Sequence, residues 1–170
     1  SIPNPETVVA HEDTVEKIAM AVGLPCVLKR PDSAFSQGVV RVDTEAELLA
    51  RASEFLRDSE LVIAQAYTPS EFDWRIGVLG GEALFACRYH MARGHWQIVA
   101  HEDGGKRRYG RVDAVALDDA PAEAISVAVR AARLIGDGLY GVDVKEYAGR
   151  FLVMEVNDNP NIDLGCEDQF

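Results

Sequence analysis

The sequence is poor in basic residues. Its 170 residues include 17 Lys and Arg against 28 Asp and Glu, which gives a formal net charge of −11. A protein that binds DNA or RNA by itself needs a concentrated excess of Lys and Arg to neutralise phosphates. We therefore expect no direct nucleic-acid partner.

Long apolar runs are also absent. No stretch approaches the roughly eighteen apolar residues of a membrane-spanning helix, and no charged segment precedes a short apolar one as in a signal peptide. We expect no membrane partner and a cytoplasmic protein. The first residues, Ser1-Ile2-Pro3, lack an initiator Met, so we expect a chain that was processed or cut from something longer.

Cysteine is scarce and widely spaced. The three cysteines, Cys26, Cys87 and Cys166, form no CxxC pair, which argues against a disulfide framework or a zinc knuckle. Two nucleotide-binding motifs are missing as well, since the chain contains neither GxxxxGK[ST] nor GxGxxG. Cys26 and Cys87 lie in apolar runs and are most simply core residues.

The composition that remains is that of an ordinary globular protein, with 48% apolar and 26% charged residues. Apolar periodicity and turn residues divide the first third of the chain into short elements. The predicted elements are a helix over 12–22, a strand over 25–29, a loop of small polar residues over 31–38, a strand over 39–42, and a helix from Asp43 or Thr44 to about Leu56.

The rest of the chain is richer in strand. Turn residues between β-branched and aromatic runs predict two hairpins, one turning at Gly80-Gly81 and one at 148–150. The predicted elements are strands over 61–67, 74–79 and 82–91, a possible strand over 95–100, a basic loop over 104–111, a helix over 121–135, and the second hairpin over 140–157.

The second hairpin carries the most chemistry. With a three-residue turn, Asp143 lies opposite Glu155, and Asn157 points to the same face. The other face is apolar and collects Val142, Val144, Leu152, Met154 and Val156. Two carboxylates and an amide oxygen are hard ligands that Mg²⁺ accepts, commonly together with phosphate oxygens. The alternative is a solvated acidic face in which Lys145 pairs with one carboxylate.

Lys29 ends an apolar strand directly before the loop of small polar residues. A lysine at a strand end and the backbone N–H groups of such a loop can bind phosphate. The alternative is an ordinary surface lysine. The basic loop over 104–111, which holds Lys106, Arg107, Arg108 and Arg111, presents a similar choice. It orients an anionic substrate or is simply solvated.

Gln65-Ala66-Tyr67 closes a buried strand where the chain passes between its two halves. Asp73 and Arg75 follow in alternation with apolar residues, so both polar side chains share one face of the next strand. An ordinary half-exposed strand is the alternative interpretation.

In this order, the segments resemble an ATP-grasp domain of the RimK-type and glutathione-synthetase-like ligases. The resemblance is carried by IPNPET (2–7), PCVLKRPDSAFSQGVVRV (25–42), IAQAY (63–67), EFDWRIGVLGGEALFACRY (71–89) and GVDVKEYAGRFLVMEVNDNPNID (141–163). It implies an α+β ATP-grasp fold, in which two mixed α/β lobes with mainly antiparallel sheets, 1–64 and 65–170, grip the nucleotide. It also implies that the family's N-terminal domain is absent from this chain.

The resemblance assigns roles to individual residues. It places Lys29 on the ATP phosphates, with the loop around Ser36-Gln37-Gly38 (the phosphate loop) folded over them. It places backbone groups of Ala66 and Tyr67, in the hinge Gln65-Ala66-Tyr67, on adenine, and Asp73 near the ribose. The residues that it assigns to the nucleotide are Lys29, Ser36, Gln37, Gly38, Gln65, Ala66, Tyr67 and Asp73. Those that it assigns to one or two Mg²⁺, with Mn²⁺ possible, are Asp143, Glu155 and Asn157. Arg75 and Arg88 are its candidates for steadying the transferred phosphoryl group or the acyl-phosphate.

The activity that the resemblance implies is an ATP-dependent carboxylate-amine ligase that forms an amide or peptide bond through an acyl-phosphate. The implied partners are ATP, a carboxylate, an amine or amino-acid acceptor and the preceding domain of the same protein, with a homo-oligomer as an open alternative. Gln97 and Val99 stand where RimK-type enzymes carry Arg and Asn, and the hinge has Gln65-Ala66 in place of a Gln-Glu pair. Two alternatives stay open: a non-catalytic nucleotide-binding regulatory module and a small-molecule phosphotransferase.

Overall fold

A computed structural model describes residues 1–31, 38–101 and 106–169. The chain divides into two compact units. The smaller unit is Pro5–Thr68, and the larger one combines Ser1–Asn4 with Pro69–Phe170. Gln65, Ala66 and Tyr67 therefore belong to the smaller unit, whereas the sequence prediction assigned them to the second lobe.

The smaller unit is an antiparallel sheet of four strands in the order β1-β4-β2-β3, with helices packed on one face. Its core is formed by alternate strand residues such as Leu28, Val42 and Ala64, together with Ile18 and Leu48 from the helices. The elements are β1 (Thr7–Ala10), a 3₁₀ turn (Glu12–Lys17), α1 (Ile18–Val22), β2 (Cys26–Lys29), β3 (Val39–Val42), α2 (Glu45–Phe55) and β4 (Val62–Ala66).

The helix predicted over 12–22 is α-helical only in its second half. In the first half, the Thr14 hydroxyl accepts a hydrogen bond from the His11 N–H and also donates to the His11 carbonyl, at 3.0 and 3.2 Å. A side chain that occupies local backbone groups in this way competes with the α-helical ladder. The predicted start of α2 is confirmed, because Thr44 caps it by accepting the Glu47 N–H at 3.2 Å.

The larger unit is a five-stranded antiparallel sheet in the order β11-β10-β5-β6-β9, with α3 on one face. Trp74, Ile76, Val142 and Val144 alternate along their strands to face α3. The elements are β5 (Phe72–Leu79), β6 (Glu82–His90), β7 (Val99–His101), β8 (Arg107–Tyr109), β9 (Val112–Val115), α3 (Ala122–Ile135), β10 (Leu139–Tyr147) and β11 (Arg150–Asn157).

The predicted turn of the second hairpin is wrong, although the predicted pairing at its far end is confirmed. Tyr147 pairs with Arg150 across a two-residue turn, in which Ala148 and Gly149 have φ of 51° and 71°, as in type I′ hairpins. A β-bulge then inserts one extra residue, Met154, and restores the pairing of Asp143 with Glu155.

The bulge also changes which hairpin residues face the core. Val153, opposite Val144, joins the core under α3. Leu152 lies opposite Lys145 and therefore on the other face. The prediction that Leu152 and Met154 share the apolar face of Val142 and Val144 is wrong, because a one-residue insertion exchanges the two faces.

The segment predicted as a basic loop is partly strand. Arg107–Tyr109 pairs with Val99–His101 as a separate two-stranded ribbon, and Val112–Val115 then joins the edge of the main sheet. Cys26 and Cys87 are fully buried, as predicted. Among the helices in the described ranges, none has the length and apolar character needed to cross a bilayer.

Candidate nucleotide and metal site

A row of charged side chains crosses the face of the larger sheet that lies opposite α3. Strand β10 stands between β11 and β5, so Asp143 pairs with Glu155 on one side and with Arg75 on the other. Residues directly opposite in antiparallel strands have their Cβ atoms about 5 Å apart. The sheet thus brings two carboxylates and a guanidinium into one row.

Arg75 and Asp143 form a two-point ion pair. The Arg75 Nε donates to Asp143 Oδ1, and Nη2 donates to Oδ2 at 2.9 Å. The two side chains are only 14% and 12% exposed, so water screens the pair little. Burial on its own lowers the pKa of Arg75, but the negative charges of Asp143, Glu155 and Glu167 outweigh it and raise that pKa.

A second ion pair lies beside the first. The Lys145 Nζ donates to Asp73 Oδ1 at 2.5 Å and to the Ser70 hydroxyl oxygen at 2.6 Å. Ser70 in turn donates to Asp73 Oδ1 at 2.9 Å. Burial raises the pKa of Asp73, and the nearby Lys145 charge offsets only part of that increase. Lys145 thus pairs with a residue of β5 rather than with a carboxylate of its own hairpin.

Asn157 connects the end of β11 to this row. Its Nδ2 donates to the Gly141 carbonyl at 3.1 Å and lies 3.5 Å from Asp143 Oδ2. The side-chain amide nitrogen is therefore directed at β10, and the amide oxygen remains as an acceptor. Glu155 is exposed on the same strand. The predicted grouping of Asp143, Glu155 and Asn157 on one face is what the structure shows.

This donor set fits Mg²⁺. The ion prefers oxygen ligands and is commonly held by one or two carboxylates together with substrate phosphates. The carboxylate of Asp143 has about four lone-pair directions, of which Arg75 uses two. The set contains only two carboxylates, and within residues 1–31, 38–101 and 106–169 no three His, Cys, Asp or Glu side chains are grouped to hold a metal. Phosphate oxygens would therefore have to complete the shell of the ion.

The smaller unit has a polar row of its own on the face opposite its helices. The Lys29 Nζ donates to Gln65 Oε1 at 2.9 Å, and the Gln65 Nε2 donates to the Thr7 hydroxyl at 3.0 Å. Gln65 is buried, so these bonds satisfy its amide. They hold the ammonium of Lys29 at the end of β2, where the loop of small polar residues over 31–38 begins.

Gly38 ends that loop in a left-handed conformation, with φ of 67°. Its carbonyl accepts the Arg30 N–H at 2.9 Å, and a Cβ added here would lie 2.9 Å from the Arg30 Cδ. A glycine is therefore required both by φ and by the packing of Arg30. Ser36 and Gln37, which sequence also assigns to the loop, lie outside the described residues.

The hinge residues are held by backbone hydrogen bonds within the smaller unit. The Ala66 N–H donates to the Glu6 carbonyl at 2.8 Å, and the Tyr67 N–H donates to the Pro25 carbonyl at 3.3 Å. Arg41 lies 4.3 Å from the centroid of the Tyr67 ring, which is cation–π distance. Both N–H groups are thus occupied, and the Ala66 carbonyl accepts a hydrogen bond from the Thr68 hydroxyl at 3.3 Å.

A family model described as a RimK-like ATP-grasp domain matches residues 1–168. The chain belongs to the RimK-like ATP-grasp family. The predicted family and fold are thereby confirmed.

Named relatives of this RimK-like ATP-grasp domain are ligases. It is 29% identical over 161 residues to a D-alanine–D-alanine ligase of Alkalilimnicola ehrlichii, covering 93% of this chain and 51% of the relative. It is 30% identical over 163 residues to a probable alpha-L-glutamate ligase of Syntrophotalea carbinolica, covering 94% and 51%. The chain thus spans about half the length of these curated relatives.

A solved structure supports the fold. The ATP-grasp ligase PsnB, complexed with minimal precursor, Mg and ADP, superposes on this RimK-like domain with a TM-score of 0.65. The match covers 93% of this chain and 46% of PsnB, at 21% identity. At that identity the likeness concerns the fold alone.

Arg88 of this RimK-like domain is not part of the row formed by Arg75 and Asp143. It lies opposite Trp74 in the register, with its guanidinium 5.0 Å from the Trp74 ring and 5.3 Å from the Phe72 ring. Because Trp74 faces α3, Arg88 lies on the other face of the sheet from Arg75. Its buried Nε has no hydrogen-bond partner in the part of the chain that the structure describes.

Three residues on the face of Asp143 carry no role in the sequence prediction: Ser70, Tyr89 and Glu167. Asp73 is buried between Lys145 and Ser70, and its position near the ribose stays a prediction. The Tyr89 hydroxyl donates to Glu167 Oε1, and the Arg75 guanidinium lies 4.8 Å from the centroid of the Tyr89 ring. Alternation along β6 could have placed Tyr89 on this face, but no local signal marks Glu167.

Proposed function

We propose that this domain binds ATP with Mg²⁺ and forms the nucleotide site of a ligase that joins a carboxylate to an amine. The observation that carries the proposal is the row of Glu155, Asp143 and Arg75 across three neighbouring strands. Phosphoryl transfer uses such a combination, because metal ions and cationic side chains neutralise charge on the phosphate oxygens. The family match and the ligase names of the relatives support it.

The smaller unit supplies the contacts to the nucleotide. Lys29 lies at the start of the phosphate loop and Gly38 at its end, and we assign both to the phosphates. We assign the carbonyl oxygens of Ala66 and Tyr67 to adenine, since the two N–H groups already donate to the Glu6 and Pro25 carbonyls. Gln65 positions Lys29 through its hydrogen bond.

The larger unit supplies the metal ligands. Asp143, Glu155 and Asn157 hold one or two Mg²⁺, or Mn²⁺ in its place. When bound, the metal neutralises the β- and γ-phosphate oxygens. The PsnB complex with Mg and ADP supports this choice of cofactor. Arg75 binds Asp143 through Nε and Nη2, and we assign its Nη1 to the transferred phosphoryl group.

The proposed reaction has two steps. A carboxylate oxygen of the first substrate attacks the γ-phosphorus, and the bond to the β-phosphate oxygen breaks, which releases ADP and leaves an acyl-phosphate. The amine then attacks the acyl carbon, phosphate departs with the electron pair of the broken C–O bond, and the amine loses a proton. Water must be kept from the acyl-phosphate. Because ATP is abundant there, we place this activity in the cytoplasm.

A second candidate is a nucleotide-binding regulatory module without ligase activity. It is favoured by Gln97 and Val99, which replace the Arg and Asn of RimK-type enzymes. Val99 lies in β7 opposite Tyr109 and has no polar group to offer a substrate. A phosphotransferase that stops at a phosphorylated small molecule would use the same nucleotide site.

Binding and turnover separate these candidates. Calorimetry of the chain with Mg-ATP should show binding that Asp143→Ala and Glu155→Ala each abolish, while Glu123→Ala, an exposed acidic residue on α3, leaves it unchanged. Release of ADP and phosphate only when a carboxylate pool and an amine pool are both present identifies a ligase. Release of ADP without free phosphate, when only one pool is present, identifies a phosphotransferase, and binding without turnover identifies the regulatory module. Unchanged affinity in both variants contradicts the metal assignment.

A further inference from the structure

Glu167 is the most deeply buried acidic residue in the described part of the chain, at 1% exposure. It lies in the turn that follows the last strand, far from β6 in sequence. Burying a carboxylate is costly unless hydrogen bonds and charges compensate for lost water. Glu167 accepts the Asp163 N–H at 2.9 Å with Oε2 and the Tyr89 hydroxyl with Oε1. The turn is thereby fastened to the sheet at Tyr89.

Tyr89 also contacts Arg75. The two residues lie on neighbouring strands, and the guanidinium stands 4.8 Å from the ring centroid. A cation held over an aromatic face is attracted by the ring and restricted in its orientation. The same guanidinium makes both hydrogen bonds to Asp143. A continuous chain of contacts therefore runs from Glu167 through Tyr89 and Arg75 to Asp143.

Cys87 lies close to the same groups. It lies on β6 directly opposite Arg75 and is fully buried. Burial, the charge of Glu167 and the neighbouring Cys166 raise the pKa of its thiol to about 12, against a lowering by Arg75. The hydrogen bond from Tyr89 to Glu167 and the pairing of Cys87 with Arg75 place the final turn against the strand that carries Tyr89.

We propose that Tyr89 and Glu167 are positioning residues for Asp143, acting through Arg75. The proposal rests on the proposed function, in which Asp143 is a Mg²⁺ ligand. Fixing the ring of Tyr89 fixes the guanidinium plane, and the guanidinium fixes the carboxylate by two hydrogen bonds. A ligand that is already oriented loses less conformational freedom when the metal binds. Outer partners of metal ligands affect affinity strongly for this reason.

The test variant is Tyr89→Phe, which retains the ring but removes the hydroxyl that binds Glu167. Tyr109→Phe is the matched control, because Tyr109 is 61% exposed on the ribbon strand β8. Two readouts are measured on the full chain. The first is the exchange rate of the Arg75 Nε–H with water by nitrogen-15 NMR, and the second is the Mg²⁺ dependence of ATP binding by calorimetry.

We expect faster exchange at the Arg75 Nε–H and about a 10–100-fold weaker apparent Mg²⁺ affinity in Tyr89→Phe, with neither change in Tyr109→Phe. The affinity loss should disappear when Arg75→Gln is already present, because Tyr89 then has no guanidinium to hold against Asp143. A variant that only melts earlier, with exchange and Mg²⁺ dependence unchanged, overturns the proposal. So does an affinity loss that persists beside Arg75→Gln.

Two further results keep the test decisive. If Tyr89→Phe does not fold, Glu167→Gln is measured in the same way, since it removes the buried charge while preserving the side-chain volume. If the unsubstituted chain shows no Mg²⁺-dependent ATP binding, the proposed function fails. The exchange rate of the Arg75 Nε–H still decides, without any nucleotide, whether Tyr89 orients the Arg75–Asp143 pair.

Discussion

The buried pair of Lys145 and Asp73 offers a direct test of how the larger unit is held together. Lys145→Met replaces the ammonium by an apolar group of similar length, so little cavity is left. It removes the donor at 2.5 Å from Asp73 Oδ1, so that among the described residues Ser70, at 2.9 Å, remains as the donor to that carboxylate. The side chains of Lys145 and Asp73 are 11% and 10% exposed, so water replaces the lost contact poorly.

Removing one partner of a buried ion pair costs about 3–5 kcal/mol. We expect the lower end, about 3 kcal/mol at pH 7, because Ser70 remains and the methionine still packs. The penalty should depend on pH. Without Lys145, the folded-state pKa of Asp73 rises further above its unfolded value. When the pKa of an acidic group is higher in the folded state than in the unfolded state, the folded protein is most stable below the unfolded-state pKa. It loses stability as pH rises through the folded-state pKa, because the buried group must then ionise. The penalty should therefore shrink toward pH 4.

Urea unfolding followed by tryptophan fluorescence measures this effect, because Trp74 and Trp96 both lie in the larger unit. With a slope of about 1–3 kcal/mol per molar urea, the midpoint should fall by about 1–3 M. Lys106→Met, at an exposed lysine, is the matched control. Adding Asp73→Asn should restore most of the loss. A midpoint within about 0.3 M of the control, or a penalty equal at pH 4 and 7, would refute this account.

Two shorter predictions follow from the packing. A Cβ at Gly141 would lie 2.8 Å from the Pro160 Cβ and 3.1 Å from the Arg75 Cδ. Gly141→Ala should therefore shift both residues and weaken Mg-ATP binding in calorimetry; unchanged affinity would contradict the crowding. Burial raises the pKa of Cys26 to about 11 and of Cys87 to about 12. Iodoacetamide at pH 8 should therefore modify only Cys166 in the native chain and all three cysteines after unfolding, as measured by mass spectrometry.

Local sequence signals predicted the elements whose structure is decided locally. Gly80 and Gly81, with φ of 58° and 78°, form the predicted two-residue turn between β5 and β6. The amphipathic pattern over 121–135 predicted α3, which spans Ala122–Ile135. In each case neighbouring residues supply the decisive information, through backbone conformation or through an apolar stripe.

The second hairpin shows how a correct pairing can follow from an incorrect turn. The prediction assumes a three-residue turn, which places Asp143 opposite Glu155 and sorts polar and apolar residues onto separate faces. The chain instead combines a two-residue turn with a bulge at Met154. The two solutions give the same register at the functional end but exchange the faces of Leu152 and Val153. A bulge of this kind leaves no local sequence signal.

Contacts that bring distant segments together could not be predicted from the sequence. Tyr89 and Glu167 are separated by 78 positions, and the ribbon strand at Arg107–Tyr109 has a polar composition that indicates a loop. The choice of Asp73 as the partner of Lys145 depends on which strand lies beside β10. Each of these depends on sheet order, which periodicity does not encode.

The arrangement of Asp143 predicts how metal and nucleotide binding depend on each other. Two carboxylates and one amide are few ligands for Mg²⁺, which usually completes its shell with water and phosphate oxygens. Because Arg75 already neutralises Asp143, the protein alone attracts the ion weakly. Calorimetry should therefore show weak Mg²⁺ binding, in the millimolar range or about 4 kcal/mol, without nucleotide and much tighter binding with ATP. Equal affinity in both conditions would mean that the phosphates contribute no ligands, and the site would have to be assigned to a metal held by protein alone.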